Sequence, residues 1–126
     1  MSTLPSPDPS QLSELVRGHL QRGEMAAAEA ACRKLLEHSP EDAEALLFVA
    51  NRELARRNAP VAMVLLNRAE RAHPEHAGVA HQVGSAHLAA GDFEAAAVSL
   101  QRALTLAPRL FVARLQLGIA LERLGR

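Results

Sequence analysis

The chain has 126 residues, 14 acidic and 14 basic side chains, and 48% apolar residues. This length fits one globular domain, and the balanced charge argues against a nucleic-acid partner, because a protein that neutralises many phosphates is usually strongly basic. The apolar stretches are far shorter than the roughly 20 residues that cross a bilayer, and the first residues lack the pattern of a secretory signal. We therefore expect a cytoplasmic protein without a nucleic-acid or membrane partner.

Residues 1–8 are predicted to form a flexible tail, with Asp8 capping the first helix and Pro9 at its first position. The rest of the chain, residues 9–126, repeats with a period of 34 residues. Three prolines mark this period: Pro40, Pro74 and Pro108. The repeats are residues 9–42, 43–76 and 77–110, followed by a partial repeat at 111–126.

Each repeat is predicted to form two helices joined by a short turn. In the third repeat, Gly91 tolerates the left-handed backbone that ends a helix, and Asp92 is a good N-cap for the next one. Small residues recur in the second helix of each repeat, at Ala28, Ala62 and Ala96. They allow the second helix to approach the first closely. One such hairpin cannot bury its own apolar face, so we expect the hairpins to stack.

The period and these recurring positions resemble the tetratricopeptide repeat. Leu or Val followed by a small residue recurs in the first helix, and Ala, Leu and Pro recur in the second. Residues 91–108, GDFEAAAVSLQRALTLAP, are very similar to the second half of that repeat. The resemblance implies an all-α protein, a right-handed α-solenoid of about three helix hairpins plus one C-terminal helix.

The resemblance also implies a concave groove lined by the first helix of each hairpin. The groove candidates are Arg17, Leu20, Leu47, Asn51, Leu54, His81, Ser85 and Leu88. Such a groove could bind a peptide or an amphipathic helix of a protein partner. Alternatively, the leucines among these residues pack between adjacent first helices. Family members that hold acidic chaperone tails use Lys, Arg and Asn, and only Arg17 and Asn51 are of those types, so we do not expect that ligand.

The segment from Leu110 to Leu124 is apolar on nearly every side, whereas the terminal helix of a repeat array usually has a polar outer face. Two explanations remain open: the chain is the N-terminal piece of a longer protein, or its last helix pairs with a second copy in a homodimer. The self-association candidates are Phe111, Val112, Leu115, Leu117, Ile119, Leu121 and Leu124.

No arrangement of residues for catalysis is visible, such as a glycine-rich phosphate loop or a nucleophile with its base. The best metal-ligand candidates are His73, His76, His81 and His87, but their spacing does not place them on one face, so we expect neither metal nor cofactor. Cys32, the single cysteine, occupies an apolar position of the repeat and is expected to be inert core.

These observations predict a non-enzymatic scaffold for protein interaction, acting through the concave groove, the C-terminal helix or both. The alternative is an accessory module of a larger bacterial enzyme. The resemblance suggests three classes of such enzyme: 2-oxoglutarate hydroxylases, sulfotransferases and glycosyltransferases.

Overall fold

A computed structural model describes residues 8–126, which form seven α-helices and no β-strand within that range. The helices are α1 (Pro9–Gln21), α2 (Met25–His38), α3 (Ala43–Ala55), α4 (Ala59–Ala72), α5 (Ala77–Ala89), α6 (Phe93–Leu106) and α7 (Phe111–Arg123). None of these seven is long and apolar enough to cross a membrane. The tail predicted at the N-terminus lies outside the described residues except for Asp8.

Aspartate side chains start several of the helices. The Asp8 carboxylate accepts the Gln11 backbone N–H at 2.9 Å, and the Gln11 side chain accepts the Asp8 backbone N–H at 3.0 Å. This reciprocal pair is a capping box that satisfies backbone donors at the helix start. Asp42 and Asp92 cap α3 and α6 with one bond each, in which the carboxylate accepts a backbone N–H of the first turn. The predicted cap at Asp8, with Pro9 at the first helical position, is confirmed.

Left-handed turn residues join the two helices of each hairpin. Gly23 and Gly91 have φ angles of 73° and 80°, which glycine adopts without steric cost. Arg57 occupies the same place in the second hairpin with a φ of 61°. The backbone therefore makes the same turn in all three hairpins, although one of them uses a residue that pays a steric penalty for it.

The helices pack as three successive hairpins, α1 with α2, α3 with α4 and α5 with α6, and α7 packs against α6 and α5. Contacts between α2 and α3 and between α4 and α5 join neighbouring hairpins. The predicted all-α solenoid of three hairpins plus one C-terminal helix is confirmed.

The small residues that recur in the second helices lie in the core. Ala28, Ala62 and Ala96 are completely buried, as their spacing predicts. Large buried side chains fill the space around them, notably Leu12, Leu46, Leu66 and Leu100. The buried residues form three core clusters along the array. Stability therefore arises from neighbouring elements, as in other repeat folds.

Candidate functional site

A groove of about 570 Å³ lies between α1 and α3, and we call it the α1/α3 groove. Its lining residues come mainly from these two helices, with contributions from α2, from Asp42 just before α3, and from α5. They are Ser13, Val16, Arg17, Leu20, Cys32, Leu35, Asp42, Glu44, Ala45, Leu47, Phe48, Asn51 and Gln82. Its volume falls within the range of pockets that hold small ligands or short peptide segments.

The inner surface of the groove is apolar. Cys32, Leu35 and Ala45 are buried at its base. Leu20 and Phe48 are among the apolar side chains that remain partly exposed along its walls. Such a surface favours a ligand with an apolar centre, because contact removes apolar area from water on both sides.

Polar side chains at the groove differ in how free they are to bind a ligand. Arg17 and Asn51 are exposed and form no ion pair or side-chain hydrogen bond within residues 8–126. By contrast, the Asp42 carboxylate accepts the Ala45 backbone N–H at 2.9 Å. Glu44 Oε1 lies 3.3 Å from His76 Nε2. Arg17 and Asn51 are thus the polar groups best placed to bind a ligand.

The structure brings together four of the eight residues predicted for the groove: Arg17, Leu20, Leu47 and Asn51. The other four, Leu54, His81, Ser85 and Leu88, lie outside the groove. Gln116 Oε1 on α7 is 2.8 Å from His81 Nε2 and accepts the Ser85 hydroxyl at 3.1 Å. Leu54 and Leu88 are half-buried and pack against core clusters that also contain residues of the second helices α4 and α6.

Two wall residues, Val16 and Phe48, were not among the predicted groove residues. Val16 belongs to a pair of residues, Leu15 and Val16 here, that recurs at the same position of every repeat. Val16 and Phe48 line the groove because of how α1 and α3 are placed relative to each other, which the sequence alone does not show.

The single cysteine is buried at the base of the groove. Burial is the main cause that raises the pKa of the Cys32 thiol to about 11, and the nearby Asp42 and Glu29 carboxylates act in the same direction. The thiol is therefore protonated at neutral pH and is a poor nucleophile.

The histidines do not assemble into a metal site in the described part of the chain. No group of three or more His, Cys, Asp or Glu residues there could hold an ion. His73 and His76 lie near each other with ring centroids 6.3 Å apart, while His81 contacts α7. His87 is partly buried, with Nδ1 3.9 Å from Asp92 Oδ2.

A cluster of charged side chains links the first two hairpins. Glu29 on α2 and Glu53 on α3 are buried, and three arginines surround them: Arg33, Arg52 and Arg56. Arg52 Nε donates to Glu29 Oε1 at 2.9 Å, and Arg33 Nη2 bridges Glu29 and Glu53 at 3.0 and 2.8 Å. Since the two carboxylates already occupy the guanidinium groups, this cluster is a structural connection rather than an anion site.

The sequence contains a signal for this cluster that the pattern analysis missed. Glu29 falls at the repeat position held by Met63 and Ala97, and Glu53 at the position held by histidine or leucine elsewhere. Two acidic residues at interior positions of adjacent repeats indicate that they need buried partners. The pKa of Glu29 is lowered to about 2, first by hydrogen bonds from Arg56, with Arg52 and Arg33 adding to the effect.

The structure divides the self-association candidates on α7 into two groups. Phe111, Val112, Leu115 and Ile119 are exposed, with Phe111 and Leu115 the most open at 67% and 68%. Leu117, Leu121 and Leu124 are half-buried, and Leu117 packs against the core cluster beneath α7. Only the first group is free to meet another surface.

Stacked helix hairpins with a 34-residue period, a groove between the first helices of neighbouring hairpins and buried small residues define a class, the helical-repeat domains. Within that class the chain has the tetratricopeptide-repeat fold, and the resemblance stated from its sequence is confirmed. No protein-family model matches the sequence, and no curated protein matches it either.

Solved structures of known proteins share this fold. The first tetratricopeptide domain of Spaghetti (RPAP3), bound to the HSP90 peptide SRMEEVD, superposes with a TM-score of 0.82 at 20% identity, covering 98% of each chain. PilF of Pseudomonas aeruginosa gives 0.79 at 24% identity, over 93% of this chain and 54% of its own. A mutant O-GlcNAc transferase of Thermobaculum terrenum gives 0.79 at 29% identity, over 96% of this chain and 23% of its own. The chain thus spans less than a quarter of that transferase.

Proposed function

We propose that the chain is a protein-interaction module whose α1/α3 groove binds a short peptide segment of a partner protein. The observation that carries this proposal is an apolar groove beside which two exposed polar side chains, Arg17 and Asn51, have no hydrogen-bond partner within residues 8–126. The Spaghetti domain was solved with a bound peptide, which supports peptide binding by this fold, although its HSP90 peptide, which carries several acidic residues, is the kind of ligand that the groove residues of this chain do not favour.

The groove chemistry narrows the ligand. Apolar side chains of the peptide would bury against the walls formed by Leu20 and Phe48. The Arg17 guanidinium would pair with a carboxylate of the peptide, and the Asn51 amide can both donate to and accept from an extended backbone. The expected ligand is therefore a segment with an apolar centre and an acidic residue beside it.

Selection from a random peptide library on the immobilised protein tests this proposal. We expect the selected peptides to share an apolar centre with a neighbouring Asp or Glu. Arg17→Glu should weaken their binding about tenfold or more, because it replaces an attraction with a repulsion. Leu20→Ser should also weaken binding, because it removes apolar contact from one wall.

Two matched controls lie away from the groove. Arg68→Glu reverses an exposed charge on α4, and Leu106→Ser changes a leucine on α6 that is as exposed as Leu20. Neither control should change the affinity, and all four variants should keep the helical melting transition. Peptides that bind the Arg17 and Leu20 variants as tightly as the wild-type protein would contradict the proposed site.

A second candidate function is an accessory module of a larger enzyme. The similarity to the O-GlcNAc transferase favours it, because that chain carries the same fold as less than a quarter of its length. Glycosyltransferases are one of the three enzyme classes suggested by the sequence resemblance. In this case, the groove would recruit a substrate or a regulatory protein for the attached catalytic domain.

The native mass of the protein decides between these candidates. Blotting of the producing cells with an antibody against this chain is expected to show a band well above 13.5 kDa if the chain belongs to a larger enzyme. Mass spectrometry of that band would identify the attached domain. A band at 13.5 kDa would exclude the accessory-module candidate and leave the stand-alone interaction module.

A further inference from the structure

The outward face of α7 has apolar side chains around an open glycine. Phe111, Leu115, Gly118 and Ile119, which we call the α7 face, line a recess of about 570 Å³ together with Arg114 and Glu122. No atom outside α7 and its immediate neighbours would meet a Cβ at Gly118 within 4 Å. The face is therefore an exposed apolar surface with room for close approach at its centre.

The glycine at the equivalent position of the preceding repeat shows that a glycine at this position permits close packing by another helix. Gly84 on α5 lies 34 residues before Gly118, and a Cβ built on Gly84 would be 2.7 Å from Leu100 Cγ on α6. The absent side chain is what lets α6 pack that closely against α5. Gly118 offers a second helix the same close approach, but nothing within the described chain uses it.

The charges on either side of Gly118 are complementary to those of a second, antiparallel copy of the same helix. Arg114 precedes the glycine by four residues and Glu122 follows it by four. The two are eight residues apart, or about 12 Å along the helix axis, so they are too distant to pair within one copy. In two antiparallel α7 helices that cross at Gly118, Arg114 of each copy faces Glu122 of the other. This arrangement is self-complementary, as an interface with two-fold symmetry requires.

The helix dipole of α7 favours neither charge at its position. Arg114 lies in the first turn of α7 and Glu122 in the last, the reverse of what the helix dipole favours. Arg114 donates to the Pro108 carbonyl oxygen at 2.8 Å and lies over the Phe111 ring, while Glu122 has no ion pair within residues 8–126.

We infer that the α7 face binds a second copy of the chain, in an antiparallel helix pair that crosses at Gly118. Leu115 and Ile119 of each copy pack beside the glycine of the other, and two Arg114–Glu122 ion pairs flank the crossing. The inference is independent of the α1/α3 groove. One helix from each copy buries less area than a stable dimer needs, so we expect a dissociation constant on the order of 10 to 100 µM.

Sedimentation equilibrium of charge-reversal variants tests this inference. The wild-type protein should show a monomer–dimer equilibrium. Arg114→Glu and Glu122→Arg should each weaken the dimer about tenfold or more, because both ion pairs become repulsive. An equimolar mixture of the two variants should restore association, because one copy then carries two acidic and the other two basic residues. Both changes follow the preference of the helix dipole, so each variant should fold.

Gly118→Leu tests the close approach without altering charge. It should abolish the dimer because the new side chain fills the crossing point, while the melting temperature stays the same or rises slightly. Arg71→Glu, an exposed charge reversal on α4, should leave the association unchanged. A wild-type protein that stays monomeric up to about 500 µM would overturn the inference and leave the α7 face to a different partner. Charge variants that associate like the wild type, with no gain on mixing, would overturn it as well.

Discussion

Replacing Leu100 with alanine is expected to lower the free energy of unfolding by about 3 to 5 kcal/mol. Leu100 is completely buried, and the other buried side chains of its core cluster are alanines of α5, α6 and α7: Ala80, Ala96, Ala103, Ala113 and Ala120. Their methyl groups cannot rotate into the space that the leucine leaves, and the larger side chains that pack against the cluster, such as Leu104 and Leu117, are only partly buried, so a cavity would persist.

Urea denaturation followed by far-UV circular dichroism measures this loss. Val98→Ala on the same helix is the control, because Val98 is 62% exposed and its replacement should change stability by at most about 0.5 kcal/mol. A loss below about 1 kcal/mol for Leu100→Ala would show that the helices close around the missing side chain.

The contact between Leu100 and Gly84 adds a second test of the same packing. Gly84→Ala alone should destabilise the protein by about 1 to 3 kcal/mol, because its Cβ would overlap Leu100 Cγ. With Leu100→Ala present, the same change should cost much less, because the overlap with the leucine side chain is gone and only the 3.3 Å approach to the backbone nitrogen of residue 100 remains. A double-mutant cycle should therefore give a coupling of at least about 1 kcal/mol. Additive effects would contradict the close contact.

Glu29→Gln is expected to lower the free energy of unfolding by about 2 kcal/mol at pH 7. Loss of one partner from a buried ion pair costs about 3 to 5 kcal/mol when the remaining charge is also buried. Here Arg33, Arg52 and Arg56 are 31% to 51% exposed, so solvent screens part of the cost. Glu37→Gln on the same helix should change stability by less than about 0.5 kcal/mol, because Glu37 is exposed and has no ion pair within residues 8–126.

The cost of Glu29→Gln should depend on pH in a definite direction. The pKa of Glu29 is lowered from 4.5 to about 2 in the folded state, so its charge stabilises the protein above pH 4.5 and that contribution is lost as the pH falls toward 2. The full shift would correspond to about 3 kcal/mol, which screening by solvent reduces to about 1 to 2 kcal/mol.

Urea titrations of both proteins between pH 7 and pH 2.5 measure this dependence. The stability difference between wild type and variant should be constant above about pH 5 and shrink below pH 4.5. An unchanged difference at pH 2.5 would mean that the Glu29 charge does not provide the stabilisation.

Local sequence patterns were sufficient to predict most of the fold. The 34-residue period, the cap at Asp8 and the left-handed turn at Gly91 depend on backbone preferences of adjacent residues, and all of them appear where the sequence predicts them. The buried alanines Ala28, Ala62 and Ala96 also follow from spacing, because each hairpin repeats the same contact.

The groove was predicted only in part, for a physical reason. Spacing on a helix indicates which residues share a face, but the packing of α1, α3, α5 and α7 decides which of these faces stay open. Arg17 and Asn51 remain free, whereas His81 and Ser85 are within hydrogen-bond reach of Gln116, more than 30 residues further along the chain. That contact takes them out of reach of a ligand in the α1/α3 groove.

The sequence by itself determined the repeat, the helix hairpins and the apolar character of α7, since each depends on residues within one or two helical turns or on an exact period. Tertiary structure alone decided the Glu29–Glu53–arginine cluster, the groove boundary and the exposed half of α7. Each of these depends on which side chains of different helices meet in space. Acidic residues at interior repeat positions indicate that Glu29 and Glu53 need partners, but nothing in the sequence shows that arginines 20 to 27 residues away are those partners.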